Sequence, residues 1–338
     1  MANANSKSKN EPVNHVSVAE TGTMEAETGA PDAVLPEQPK TGGDIVQAAM
    51  NSIVVAGEDA AMMFAEDANK GIEGATADSF AIPFLIVLQK GSPQVDEASK
   101  SALPGARQGM LFNTVTGDLI DVPRAPDDKR EGVKPLIFIP CAFRQVWIRW
   151  GSRKAGGGFK GELTSDQVAD MRRTGALKEL DGKLVIPNAN GSIDDKCDIV
   201  NDHRNHYGLA LGDDDAWQNV LISLTSTQIK KSKRLMAAIG GAKMKHPRTG
   251  MIFQPPSWAN KFAITTVPES NDKGNWMGID FNIVGKVDRR DLYEAGKAFN
   301  EAIKTGAVAE NYNTLSENVE TETGMEGGAP SAARPDKF

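Results

Sequence analysis

Between Leu136 and Trp150 the chain reads LIFIPCAFRQVWIRW, and this run narrows the choice of fold more than any other. It is rich in β-branched and aromatic residues and has no acid, which suits a pleated, half-buried surface. Leu136 to Ile139 reads as a buried strand, and after Pro140 the segment Phe143 to Trp150 reads as a second strand with two usable faces. Side chains alternate along a strand. Phe143, Gln145, Trp147 and Arg149 therefore share one face, and Arg144, Val146, Ile148 and Trp150 the other. If Val146 and Ile148 sit on a core, the opposite face shows a phenyl ring, an indole and a guanidinium to solvent. Such a row suits a surface that binds nucleic acid without reading sequence, because every base has a face to stack on and every nucleotide a phosphate to neutralise. The plainer reading, core rings beside solvated arginine stems, fits this run equally well.

The charge around the run sharpens the first reading. Lys134, Arg144, Arg149, Arg153, Lys154 and Lys160 lie between positions 134 and 161 with no Asp or Glu among them. Gly156, Gly157 and Gly158 fall inside this block, but Gly-Gly-Gly-Phe-Lys-Gly does not match the phosphate-cradling G-x-x-x-x-G-K-[ST] loop. What remains is a finger carrying Arg153, Lys154, Phe159 and Lys160, read either as closing over a polyanion or as a plain mobile loop. A second block follows at 228–250, with seven bases and no acid. A helix over Gln228 to Ile239 puts Ile229, Leu235, Met236 and Ile239 inward and leaves Lys230, Lys231, Lys233 and Arg234 mostly outside, with Lys243, Lys245 and Arg248 beyond it. Solvated faces normally mix both signs, and this one does not.

The formal net charge of −7 argues against a nucleic-acid binder until its distribution is considered. Residues 1–76 carry −8 and residues 309–338 carry −4, which leaves +5 on 77–308. A mildly basic body with acidic ends is the expected organisation. The leader up to residue 76 is read as disordered, with short helices within Asp44 to Phe64, and the tail from 309 as disordered too. No stretch of about 18 uncharged apolar residues suggests a membrane span. The N-terminus lacks the basic-then-apolar order of a secretory signal.

Within the body, Leu85 to Leu88 reads as a buried strand or a short core helix, and Met110 to Val122 as a hairpin about Thr116-Gly117-Asp118. Thr164 to Leu177 is predicted to be an N-capped helix, Lys183 to Pro187 and Trp217 to Leu224 strands, and Phe262 to Val287 a hairpin about Asn271 to Gly274. A helix from Arg289 to Lys304 follows. Gly191 to Asp215 looks polar and loop-like. It holds Cys197, Asp202, His203, His206 and Asp213 to Asp215, which raises a metal site. The spacing fits no zinc module, and ordinary polar roles are favoured, with no metal and no cofactor. Cys141 and Cys197 cannot build a disulfide framework and are read as reduced thiols.

The segments Ile82-Pro83-Phe84-Leu85…Gln89…Ser92-Pro93-Gln94, Gly156-Gly157-Gly158 and Gln228-x-Lys230-Lys231-Ser232 resemble a group of tailed-bacteriophage proteins over about residues 79–300. Some members of that group are described as single-stranded DNA-binding or replication proteins. The resemblance implies an OB-like barrel and a C-terminal tail that recruits replication proteins. Phe338 matches the phenylalanine that ends such tails, while Arg334 and Lys337 depart from their acidic tip.

Together these features lead to an expected mainly β fold, an OB-like barrel with peripheral helices between acidic termini. The expected function is non-enzymatic single-stranded DNA binding in phage replication or recombination, in the host cytoplasm and away from membranes. The expected contacts are Phe143, Trp147, Arg149, Arg153, Lys154, Phe159, Lys160, Lys230, Lys231, Lys233, Arg234, Lys243 and Lys245. One rival is a virion structural or assembly protein. The other is a metal-dependent nuclease built on Asp202, His203, His206 and Asp213 to Asp215.

Overall fold

The computed structural model describes residues 62, 70–71, 81–124, 128, 130–212, 216–272 and 274–318. Nearly all of the expected leader, most of the expected tail and Asp213 to Asp215 lie outside the described residues.

Two long strands form the frame. β4 runs Leu136–Trp150 and β8 runs Asp198–Leu211, paired antiparallel from Ile137↔Leu211 to Trp150↔Ile199. Where the sequence suggested two strands separated by Pro140, there is one, with a register shift between Pro140 and Ala142. A bulge is one of the few places where proline, which donates no ladder hydrogen bond, fits inside a sheet. Its partner is Gly208, where a Cβ would stand 2.4 Å from the Ile139 carbonyl oxygen and from the Phe138 ring. β8 itself corrects the expectation of a loop across 191–215. Its polar residues are met by groups from other elements, described below.

Each end of this ribbon carries its own flanking strands. At one end β4 pairs with β12 (Asn260–Asn271), β12 pairs with β13 (Gly274–Lys286), and β8 pairs with β9 (Trp217–Leu224). At the other end β4 pairs with β5 (Phe159–Leu163), and β8 pairs with β7 (Lys183–Ile186), which pairs with β6 (Lys178–Leu180). These eight strands form one open sheet, with no closed barrel, so the mainly β expectation holds without the expected closure. The gap between β9 and β13 is spanned by β1 (Leu85–Val87), which pairs with β2 (Leu111–Asn113), itself paired with β3 (Leu119–Ile120). Phe84 bridges Leu221 of β9, while the side-chain amide of Gln89 bonds both the N–H and the carbonyl of Met277 in β13, at 2.9 Å each. A small sheet thus stands where a ladder would have closed the barrel.

Among the described residues, four helices cover the sheet. α1 (Ser165–Thr174) starts with a capping box between Thr164 and Gln167. It packs Val168 with Leu177 and Val200 at the β5–β7 end. α2 (Ile229–Gly241) buries Leu235 and Ile239 among Phe138, Ile222, Phe262 and Phe281 at the β9–β13 end. α3 (Arg290–Lys304) lays Leu292, Phe299 and Ile303 on the opposite face of β4 and β8, over Ile139, Ile148 and Leu209. α4 (Tyr312–Asn318) joins that core through Tyr312 and Leu315. The packed chain therefore runs past residue 308, where the sequence reading ended the body. Two large apolar contacts inside a polar stretch were too few to stand out from its composition.

Candidate nucleic-acid interface

Alternation along the second half of β4 places Phe143, Gln145, Trp147 and Arg149 on one face, as expected, but both rings on it are half-buried. Trp147 is half-buried against Val168, Leu163 and Met171, and the Arg172 guanidinium lies 5.5 Å from its ring centroid. Phe143 is half-buried, its ring 5.1 Å from that of His206. Arg149 is held by Asp198, with Nε 2.6 Å from Oδ2. Gln145 donates to Asp202, which is also gripped by Arg204 at 2.9 Å. The row of open rings and a free cation that the sequence suggested is a small core with a neutralised edge. At Trp147 the cause is α1, whose apolar stripe packs on the indole.

The opposite face holds a buried aromatic and polar cluster that sequence reading missed. Trp150 Nε1 donates to His203 Nε2 at 3.3 Å, so His203 is neutral and its Nδ1–H points to Ser223 Oγ, 2.8 Å away. Burial holds the His203 pKa down to about 3. Tyr312 stacks on Phe159, with centroids 5.3 Å apart and planes 17° apart, and accepts from Asn205 Nδ2 at 2.7 Å. Tyr207 donates to Glu310, which also receives Arg144 at 2.8 Å. Burial pushes the Tyr312 hydroxyl pKa up. Phe159 is therefore occupied by α4. The only sequence signal for this cluster was the two-residue alternation of His203, Asn205, Tyr207 and Leu209.

His203 and His206 are three apart on a strand, which sends their rings to opposite faces. His206 Nε2 meets Ser232 Oγ of α2 at 2.8 Å, and burial lowers its pKa to about 3 as well. No group of three His, Cys, Asp or Glu among the described residues is placed to hold a metal ion.

The glycine finger is folded. Gly156, Gly157 and Gly158 have φ of 97°, 64° and 86°, a left-handed path that three residues with Cβ atoms would not follow. The Ser152 carbonyl accepts from Ala155 and Gly157 at 2.8 Å each. Lys154 pairs with Asp195, Lys160 is exposed, and the side chain of Arg153 lies outside what the structure describes.

The second basic block is organised differently. Gln228 accepts from Ile279 N–H at 3.1 Å, and Lys231 reaches Glu269 at 3.2 Å, which fastens the start of α2 to β12 and β13. Arg234 stays exposed while meeting Asp280 at 3.3 Å. Lys230, Lys233, Lys243, Lys245 and Arg248 are exposed and meet no acid among the described residues. Lys230, Lys231 and Lys233 also crowd the N-terminal half of α2, the positive end of the helix dipole, where cations weaken a helix. A break of a local rule of this kind is expected at a functional or strained site.

The Pam3 phage gp34-like family model matches residues 51–309. The chain belongs to this family of phage proteins. No curated protein and no solved structure matches it. Among the described residues no helix is long and apolar enough to cross a membrane. Several residues that carried the phage resemblance have architectural roles here. Gln89 and Gln228 hold the β13 edge, Ser92 Oγ accepts from Gln89 N–H at 2.9 Å, the Pro83 carbonyl accepts from Leu221, and Ser232 meets His206.

Proposed function

We propose that this phage protein is a non-enzymatic single-stranded DNA-binding protein that acts on replicating or recombining DNA in the host cytoplasm. One observation carries the reading. Five cations at 230–248 are exposed without an acidic partner among the described residues, and two of them sit where they weaken their own helix. A polyanion would supply the missing countercharge and release its condensed ions, an effect that does not depend on sequence. Arg234 extends the surface, while Lys231 belongs to its support.

Fluorescence anisotropy with labelled dT30, the matching duplex and buffers with and without Mg²⁺ tests the proposal. The expected result is binding to dT30 that weakens steeply with salt and leaves the oligonucleotide intact. Cleavage in Mg²⁺ would favour the nuclease, and no binding at low salt would sink the proposal.

A further inference from the structure

Beyond α2 the chain forms a two-stranded ribbon, β10 (Met244–Lys245) and β11 (Ile252–Phe253), paired Met244↔Phe253 and Lys245↔Ile252. Every residue from Lys243 to Gln254 is exposed, including Met251 at 69% and Ile252 at 74%. An isolated hairpin is marginal in water, yet this one has an ordered tip. His246 N–H donates to the Met251 carbonyl at 2.8 Å, and Gly250 N–H to the His246 carbonyl at 2.9 Å. His246 Nδ1 accepts from the N–H groups of Arg248 and Thr249 at 3.2 Å each. Pairing puts Met244 and Phe253 on one face, and the His246–Met251 closure continues that row; Lys245 and Ile252 lie on the other face.

We propose that this ribbon is the arm with which the protein grips a single strand, Met244, Met251 and Phe253 lying against bases while Lys243, Lys245 and Arg248 take phosphates. This rests on the DNA-binding reading above and adds the element that touches bases, a role the half-buried Phe143 and Trp147 do not fill. Charge selects the occupant. The arm and the helix before it carry seven bases and no acid between 228 and 250. Pairing two arms symmetrically would set these cations against one another. A single strand offers both complements at once, since its bases present apolar faces and its backbone regular negative charge.

The test replaces residues 243–254 by a short Gly-Ser linker in the full chain, next to two point variants, Met251→Ser with Phe253→Ser, and Lys243→Gln with Lys245→Gln and Arg248→Gln. No buried residue is removed, so melting temperatures should stay close to wild type. The armless chain should lose most of its affinity for dT30. The apolar variant should lose about 10–100-fold with an unchanged salt slope, the range expected for the loss of one aromatic stacking contact. The cationic variant should lower the slope by about 2. If wild type binds and both the armless chain and the point variants bind equally well, the arm is not the grip and only this inference falls. If wild type does not bind, the DNA-binding reading falls with it. If light scattering shows that losing the arm lowers the particle mass while binding per chain is unchanged, the ribbon joins subunits and the inference is overturned.

Discussion

The two basic blocks look alike in sequence and are opposites in the fold. Residues 134–161 hold six cations and no acid, yet the fold brings acids to at least three of them. Arg149 meets Asp198 49 positions away, Lys154 meets Asp195 41 positions away, and Arg144 meets Glu310 166 positions away. Among the described residues, 228–250 receive acids only at Lys231 and Arg234, from Glu269 and Asp280. Local composition counts charges, whereas the fold decides which of them remain available to a partner. A central strand such as β4 has neighbours on both edges and helices on both faces, so acids from four directions can reach it. α2 packs its apolar face on the sheet and turns its basic face to solvent, and the ribbon after it is exposed throughout, so both meet few.

The largest effect expected from this contrast is a dependence of stability on acid. His203 lies beneath the first block and His206 beneath the second, where it is bound to Ser232. The folded chain keeps both imidazoles neutral down to about pH 3, whereas ordinary histidine titrates near 6.5. Between those values the unfolded chain binds more protons, so stability falls as pH drops through that window. At pH 5 the loss should be about 2 kcal/mol for each histidine. Urea titrations at pH 7 and pH 5 measure it, and His206→Gln should remove about half of the difference. An equal loss in that variant would show that the drop has another source.

Trp147→Ala gives the next largest effect and bears on the first block alone. The indole fills the space between α1 and β4, so its removal should cost about 3 kcal/mol of stability. Affinity of the folded protein for dT30 should not change. A well-folded Trp147→Ala with weakened binding would return the base-stacking row to β4.

Much of the fold was legible in local pattern. β9 falls at Trp217–Leu224 as expected, α1 starts at its Thr164 cap, and the β12–β13 hairpin turns at the expected residues. Each of these signals lies within a few residues of the element it marks. β8 was not legible, because its polar side chains looked unsatisfiable until their partners arrived from elsewhere. Asn205 bonds Tyr312 107 positions on, and the two histidines bond serines 20 and 26 positions on. Pro140 read as a break because a bulge opposite Gly208 is a property of the pair, not of either strand. The candidate site was half legible for the same reason. The second block was visible as a charge run, while the neutralisation of the first depended on pairings that sequence spacing does not show.

The finest distinction lies in the salt dependence of binding. Lys230, Lys233, Lys243 and Lys245 changed together to Gln should lower the slope of log affinity against log salt by about 3, at about 0.7 for each phosphate left without its cation. Arg149, Arg153, Lys154 and Lys160 changed together should lower it by no more than about 1.4, because Arg149 and Lys154 already have acids as partners. An exposed ion pair is worth only about 0–1 kcal/mol, so a phosphate could in principle displace Asp195 from Lys154. Such displacement would leave the aspartate beside the backbone it gave way to, and its repulsion would offset the new attraction between lysine and phosphate. Anisotropy titrations of both variants from about 50 to 300 mM salt, over which phosphate contacts change affinity by orders of magnitude, separate the cases. Equal losses of slope would mean that the first block opens its ion pairs to reach DNA, and a larger loss from the first block would move the interface to the β4–β5 end of the sheet.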